Sequence, residues 1–206
     1  MALTAAAYTN DAYDVTDLPS IVFGSIKLGL LESVAVLLFA FATRPLPEPA
    51  KMAVGGLILV AGLAAVSMLP GIWTRARTIE GIAGAAGIGL GATFVFLLVD
   101  VTILQSIGTY TNRWTAIGGS NWWYHPIWWM VGTFLPWMGA WALANQTARR
   151  GSASPVMAFV IALVFAVVIG AIAVSTGFPG AAWHLATFGV AFLPGVALAA
   201  AVASRV

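Results

Sequence analysis

The chain contains no cysteine, which excludes disulfide bonds, thiolate metal sites and thiol catalysis. Charged residues are also scarce, at 8% of 206 positions, and their formal net charge is only +2. Basic residues cluster no further than the pairs Arg75/Arg77 and Arg149/Arg150, so the chain has no basic surface of the kind that binds nucleic acid. We therefore expect no nucleic-acid partner.

Sequence motifs of the common enzyme classes are missing as well. The chain has no His-Glu-x-x-His motif, no serine elbow with an ordered histidine and acid, and no phosphate-binding loop. The glycines from Gly84 to Gly91 lie inside an apolar stretch and lack the lysine of such a loop. The sequence leaves the question of an enzyme undecided and favours a protein without catalytic activity of its own.

Long apolar runs fill the rest of the chain. Hydrophobic residues make up 61% of it and the mean hydropathy is +0.96. A helix needs about 20 apolar residues to cross a hydrocarbon core of roughly 30 Å. Breaks at charges, Pro, Gly and Asn predict six spans. Their approximate bounds are 20 to 42, 52 to 73, 81 to 108, 122 to 146, 154 to 176 and 181 to 203.

These runs predict an all-α integral membrane protein, a bundle of about six transmembrane helices with short loops. A transmembrane barrel is disfavoured because its strands alternate apolar and polar residues, whereas the stretches 53 to 69 and 156 to 174 are apolar all round. In lipid, helices are then the remaining way to satisfy the backbone hydrogen bonds. Residues 1 to 19 carry three aspartates and no basic residue, and we expect an extramembrane tail that ends in a helix cap at Asp17 or Ser20.

The basic residues between spans predict the orientation, because cytoplasmic loops carry an excess of Lys and Arg. An internal N-terminus places more basic residues inside than outside. The inner ones are then Arg75, Arg77, Arg149, Arg150 and Arg205, and the outer ones Arg44, Lys51 and Arg113. We expect an inner (cytoplasmic) membrane of a prokaryote, with the N-terminus inside.

Two carboxylates lie within predicted spans, Glu32 in the first and Asp100 in the third. A charged side chain at the centre of a span costs at least about 2.5 to 3.5 kcal/mol, so such residues normally face the bundle interior, pair or line a water path. Because successive spans alternate in direction, four residues are all approached from the same face of the membrane: Glu32, Asp100, His125 and His184. If their helices are neighbours, these four residues form a polar funnel with histidines at its mouth.

Three chemical uses fit such a funnel. The carboxylates exchange a proton or cation while the histidines relay protons, or His125 and His184 ligate a metal or the iron of a haem. A carboxylate acting as general base in an intramembrane enzyme has the least support. A purely structural alternative pairs Asp100 with Lys27 and makes the protein an accessory subunit.

Tryptophans are numerous, with 9 in the chain. Most of those between Trp122 and Trp141 fit an interfacial aromatic belt. Trp137 and Trp141 lie deeper, four residues apart on one helix face, where an aromatic wall against a flat cofactor such as a haem or chlorin is the sharper hypothesis. The cofactor itself is not identified by the sequence.

Small residues recur on the third and fifth predicted helices, in Gly87-x-x-x-Gly91 and in Ala162, Ala166 and Gly170. Such spacings let helix backbones approach closely in lipid. They favour packing within the chain, and the alternative is a homo-oligomer or a larger membrane complex formed through these two helices. The lipid bilayer is the one partner that the composition itself implies.

We therefore hypothesise a polytopic membrane protein that moves a small ion, proton or solute through an intramembrane polar site. The alternative is a cofactor-associated or accessory subunit of an electron-transfer or photosynthetic membrane complex. The transport hypothesis depends on Asp100 and Glu32, and the cofactor hypothesis depends on His125 and His184.

Overall fold

The computed structural model describes residues 13 to 110 and 125 to 204, without the side chains of residues 125 and 126. Six helices make up this part of the chain. They are α1 (Leu18–Thr43), α2 (Glu48–Trp73), α3 (Ile79–Val99), α4 (His125–Arg150), α5 (Pro155–Ser175) and α6 (Leu185–Ala203). A π-helical turn, Asp100–Leu104, continues α3.

Each of the six helices is long and apolar enough to cross a membrane, which confirms the helical class and the number of long apolar helices expected. The outer surface is apolar too. Leu57, Ile79 and Val156 are 71%, 81% and 74% exposed, and a monomer in water rarely leaves so many large apolar side chains uncovered.

With the π-helical turn counted as part of the third helix, the helix bounds lie within four residues of the predicted spans. One of the largest differences is at the end of the third span. The predicted end is residue 108, and the helix ends at Leu104. There the hydrogen-bond ladder loosens, because the Gln105 N–H bonds to the Asp100 carbonyl, five residues back, at 3.0 Å. Gly108 then takes a φ of 71°, a left-handed conformation that glycine adopts without strain.

Close backbone contacts hold the helices together. α1 packs on α3, α3 on α4, and α4 on α2, while α5 and α6 form a tight pair beside α4. At the α5–α6 contact a Cβ added at Gly195 would lie 2.7 Å from the Ala162 carbonyl oxygen. Only glycine permits this approach, so the fold depends on small residues where helices cross.

The small-residue runs of the sequence face neighbours inside the chain. A Cβ added at Gly91 of α3 would lie 2.7 Å from the Ser25 Cβ of α1. On α5, Ala162, Ala166 and Gly170 are all buried, and the ring of Phe188 in α6 covers Gly170. The single chain therefore already covers these faces.

Two aspartates near the N-terminus cap helices. Asp17, one of the two cap candidates in the sequence, accepts a hydrogen bond from the Ser20 N–H at 3.1 Å and caps α1. The hydrogen bond from the Ser20 side chain, and to a smaller extent the one from the Ser20 backbone N–H, lowers the pKa of Asp17. Asp14 instead caps α3, the third helix along the chain.

The Asp14 carboxylate binds three backbone N–H groups at the start of α3. It accepts from Arg77 at 3.0 Å, from Thr78 at 3.0 Å and from Gly81 at 3.0 Å. Thr78 occupies the N-cap position of α3 but makes no cap hydrogen bond of its own. Asp14 thus replaces the missing local cap and ties the segment before α1 to the α2–α3 connection.

We expect Asp14→Ala to lower the free energy of unfolding by about 1 to 2 kcal/mol, because three N–H groups at a helix N-terminus lose a charged acceptor. Thermal unfolding in detergent micelles, followed by circular dichroism, measures the change. Asp17→Ala is the matched control, since it removes a cap with one backbone donor, and its effect should be smaller. An Asp14→Ala variant as stable as the native protein would contradict this account of the α3 terminus.

Candidate functional site

Glu32 lies on a face of α1 that is otherwise apolar. Ala35, Val36 and Phe39 follow it at helical spacings of three, four and seven residues, so the four side chains share one stripe. This stripe faces α2, α3 and α4 across a space that none of these helices fills.

That space is a cavity of about 350 Å³, open on part of its surface. Within the described residues Glu32 is its one ionisable lining residue and Thr93 its one hydroxyl, and the others are aliphatic, aromatic or glycine. Two glycines border it: Gly132 of α4 packs closely against Thr93, where an added Cβ would lie 3.3 Å from the Thr93 Cβ, and Gly62 of α2 leaves space open. A Cβ added at Gly62 would meet nothing within 4 Å, because this side of α2 borders the cavity.

The cavity lies midway along the helices. Glu32 precedes Thr43, the last residue of α1, by about three helical turns, and Thr93 precedes Leu104 by the same distance. At a rise of 1.5 Å per residue, Glu32 is about 16 Å from that end of the bundle. Since α1 and α3 run in the same direction, the two polar lining residues lie at similar depths.

The Glu32 carboxylate has no hydrogen-bond or ion-pair partner among the side chains and backbone that the structure describes. An ionised carboxylate in such surroundings loses hydration without compensation. Lys27, five residues earlier, does not supply a counter-charge. Its ammonium lies 4.1 Å from the ring centroid of Phe23 and 5.8 Å from that of Trp73.

The other lining groups include a hydroxyl and two aromatic rings. The Thr93 hydroxyl donates its hydrogen to the Gly89 carbonyl at 2.9 Å, so it can only accept a bond from the cavity. Phe96 and Trp128 form one wall, with ring centroids 5.4 Å apart and ring planes tilted by 58°. A ligand that carries positive charge therefore matches this lining better than an anion does.

Asp100 does not line the cavity. It is fully buried at the start of the π-helical turn, one helical turn beyond the cavity residue Phe96. The Gln105 side-chain amide donates to its Oδ2 at 2.8 Å, and the Tyr110 hydroxyl donates to its Oδ1. The structure therefore does not place the two predicted carboxylates in one site. It also does not pair Asp100 with Lys27.

The chain after α3 is held from a second side by Arg44, at the end of α1. Its guanidinium donates to the carbonyl oxygens of Gly108 and Thr109, at 3.0 Å and 3.1 Å, and lies 4.9 Å from the Phe41 ring. Asp100 and Arg44 together fix the turn that closes this end of α3. This arrangement gives Asp100 a structural explanation that the sequence left open.

His184 is exposed and caps α6. Its Nδ1 accepts the Thr187 N–H at 3.2 Å, so in the neutral imidazole the hydrogen resides on Nε2. That tautomer presents no free lone pair to a metal, and His184 acts here as a helix cap. The side chain of His125 lies outside the described residues. Within the described part of the chain, no three His, Cys, Asp or Glu residues are grouped as for a metal ion.

Trp137 and Trp141 are 49% and 37% exposed and do not line the cavity. Trp128, which the sequence assigned to the interfacial belt, does line it. Sequence reasoning also missed Thr93 and Phe96. The one signal present was that Phe96 precedes Asp100 by one turn, which did not distinguish a cavity wall from ordinary packing.

Comparisons with models of protein families, with curated proteins and with solved structures find no match for this chain. The functional argument therefore depends on the chemistry of the site.

Proposed function

We propose that the chain is an integral membrane protein that moves protons or small cations across the bilayer by way of Glu32. The observation that carries the proposal is the Glu32 carboxylate, which lines a cavity of about 350 Å³ midway along the helices and has no partner among the described residues. A group of this kind costs stability and is usually retained for function.

The position of Glu32 supports a role in transport. In a bundle of six apolar helices of membrane-spanning length, the residue lies about 16 Å from one end of α1, which is near the middle of a hydrocarbon core of roughly 30 Å. A carrier needs a binding group at this depth that is reachable from either side in turn. The carboxylate at this depth exchanges between a proton and a cation, since each neutralises its charge.

The polar turn after α3 supports the same function indirectly. Asp100 and Arg44 hold the end of α3 through the contacts of Gln105, Tyr110 and the carbonyls of 108 and 109. The adjacent Phe96 forms part of the cavity wall. Asp100 is thus proposed as a positioning residue for the wall, and Glu32 as the residue that carries the exchanged ion.

Membrane and orientation follow as further parts of the proposal. Arg75, Arg77, Arg149 and Arg150 lie at one end of the bundle, in the α2–α3 connection and at the end of α4. By the positive-inside rule that end faces the cytoplasm, together with the N-terminus. We propose the cytoplasmic membrane of a prokaryote as the location.

Proton flux into proteoliposomes tests the proposal. Vesicles loaded with potassium and a pH-sensitive dye develop a membrane potential when valinomycin is added, and the dye then reports proton entry. Vesicles with the native protein should acidify faster than protein-free vesicles, and Glu32→Gln should remove the difference. Flux that is the same in the native and Glu32→Gln proteins would refute the role of Glu32.

A further inference from the structure

We infer that the Glu32 cavity binds a monovalent organic cation with apolar substituents, of the quaternary phosphonium or ammonium class. This inference rests on the proposed function, because it names the substrate class of the same carboxylate. It is carried by the size, the charge and the lining chemistry of the cavity.

The size of the cavity fits a small molecule. Its volume of about 350 Å³ lies within the range of roughly 300 to 1,000 Å³ that is typical of small-molecule pockets. A single water molecule occupies only about 30 Å³ in the liquid. A bare metal ion would leave most of this space unfilled.

The polar lining is too sparse for a divalent metal ion. Hard cations such as Ca²⁺ and Mg²⁺ take six or more oxygen ligands in place of their hydration shell. Within the described residues, the side-chain oxygens of the lining are those of the Glu32 carboxylate and the Thr93 hydroxyl. An organic cation with apolar substituents has no tight hydration shell to replace, and its substituents gain contact with the apolar walls.

The single carboxylate of the lining determines that a matching ligand carries one positive charge. Glu32 is the one ionisable residue that lines the cavity in the described part of the chain, so it neutralises one positive charge. The Thr93 hydroxyl has already donated its hydrogen to Gly89. An anion would face a carboxylate without a compensating basic side chain, and a divalent cation would keep an unpaired charge.

The aromatic wall adds a second contact for a cation. Phe96 and Trp128 both line the cavity, and their rings are tilted against one another at 5.4 Å between centroids. Aromatic faces attract organic cations through the ring quadrupole, and quaternary ammonium groups are recognised in this way. The wall and the carboxylate belong to different helices, so a ligand between them contacts both.

Equilibrium dialysis of the full-length protein in detergent micelles tests the inference with tritiated tetraphenylphosphonium as the probe. The native protein should bind it, and Glu32→Gln should weaken binding at least about tenfold because the cation loses its counter-charge in the cavity. Binding to the native protein should also weaken as the pH is lowered, since a proton and the cation compete for one carboxylate. Glu32→Asp keeps the charge and should keep most of the binding.

Two controls make the result specific. Triphenylphosphine oxide is uncharged and also carries aromatic rings, so it should compete poorly and its binding should be indifferent to Glu32→Gln. Glu48→Gln removes an exposed carboxylate that is paired with Lys51 at 3.3 Å and should bind the phosphonium as the native protein does. Equal affinity of the native and Glu32→Gln proteins for the cation, or equal competition by the neutral compound, would overturn the inference.

The phosphonium-binding experiment and the proton-flux experiment can fail independently of one another. Glu32-dependent phosphonium binding without Glu32-dependent proton flux would support the ligand class and refute proton movement by way of Glu32. Glu32-dependent proton flux without any phosphonium binding would refute the ligand class alone.

Discussion

Proton flux in vesicles that carry Glu32→Gln is expected to fall at least about tenfold, to the level of protein-free vesicles. Glutamine has nearly the size of glutamate and fits the same cavity, but it can neither take up a proton nor hold a cation. The dye signal under a potassium diffusion potential measures the change. The reason for the large effect is that no other ionisable residue among the described ones lines the cavity.

The same substitution should not weaken the fold. Glu32 has no partner among the described residues, so its replacement breaks no hydrogen bond or ion pair and removes a group that is costly to desolvate. We therefore expect Glu32→Gln to unfold at the same temperature as the native protein or at a higher one. Loss of flux together with retained stability is the signature of a functional carboxylate.

A matched carboxylate outside the cavity serves as the control. Glu48→Gln removes the exposed partner of Lys51 at the start of α2, and its flux should equal that of the native protein. If both variants lose flux equally, the loss reports general damage or net charge. In that case the Glu32 cavity is not the path.

The second large effect is expected at Gly139, where α4 crosses α2. A Cβ added there would lie 2.6 Å from the Ser67 carbonyl carbon and 3.3 Å from its Cα. Ser67 is fully buried and its hydroxyl donates to the Leu63 carbonyl at 2.6 Å, so this part of α2 has no room to shift. We expect Gly139→Ala to lower the free energy of unfolding by about 3 kcal/mol, at the upper end of typical overpacking costs.

Gly87→Ala is the control for helix propensity. Its added Cβ would lie 3.8 Å from the Ile21 Cγ2, an ordinary contact, and alanine favours a helix over glycine by about 1 kcal/mol in peptides. The stabilities of the two variants, measured by unfolding in mixed micelles, should therefore move in opposite directions. If Gly139→Ala is as stable as Gly87→Ala, then α2 and α4 do not cross as closely as described.

The sequence predicts the helices well because their signal is local. Apolar runs such as 53 to 69 can satisfy the backbone in lipid only as helices, and the breaks between runs carry Pro, Gly or charge. The Asp17 cap is equally local, since its acceptor and donor lie three residues apart. The helical segment after α3 ends earlier than the approximate span because residues 105 to 108 are compatible with a helix, and the π-helical turn at Asp100 depends on side-chain contacts.

The candidate site was predicted only in part. Glu32 drew attention as an ionisable residue in an apolar run, but no sequence pattern indicated the cavity beside it. That cavity results from the relative positions of Gly62, Gly132 and Thr93, which lie on three helices. The grouping of Glu32 with Asp100 assumed that polar residues on parallel helices share one space. In the structure Gln105 and Tyr110 enclose Asp100 instead.

The Asp14 contact illustrates the same limit. A carboxylate that caps a helix distant from it in the sequence leaves no local pattern. Its effect is detectable only through the tertiary structure, which places the segment before α1 against the start of α3.

The central claim is that the Glu32 carboxyl is reachable from an apolar phase and takes up a proton there. Dicyclohexylcarbodiimide, an apolar reagent that reacts with carboxylic acids in their protonated form, tests it on the native protein in membranes. Peptide mass spectrometry should find one adduct per chain, on Glu32, with Glu48 and Glu80 unmodified. An unmodified Glu32 beside labelled exposed carboxylates would contradict the account.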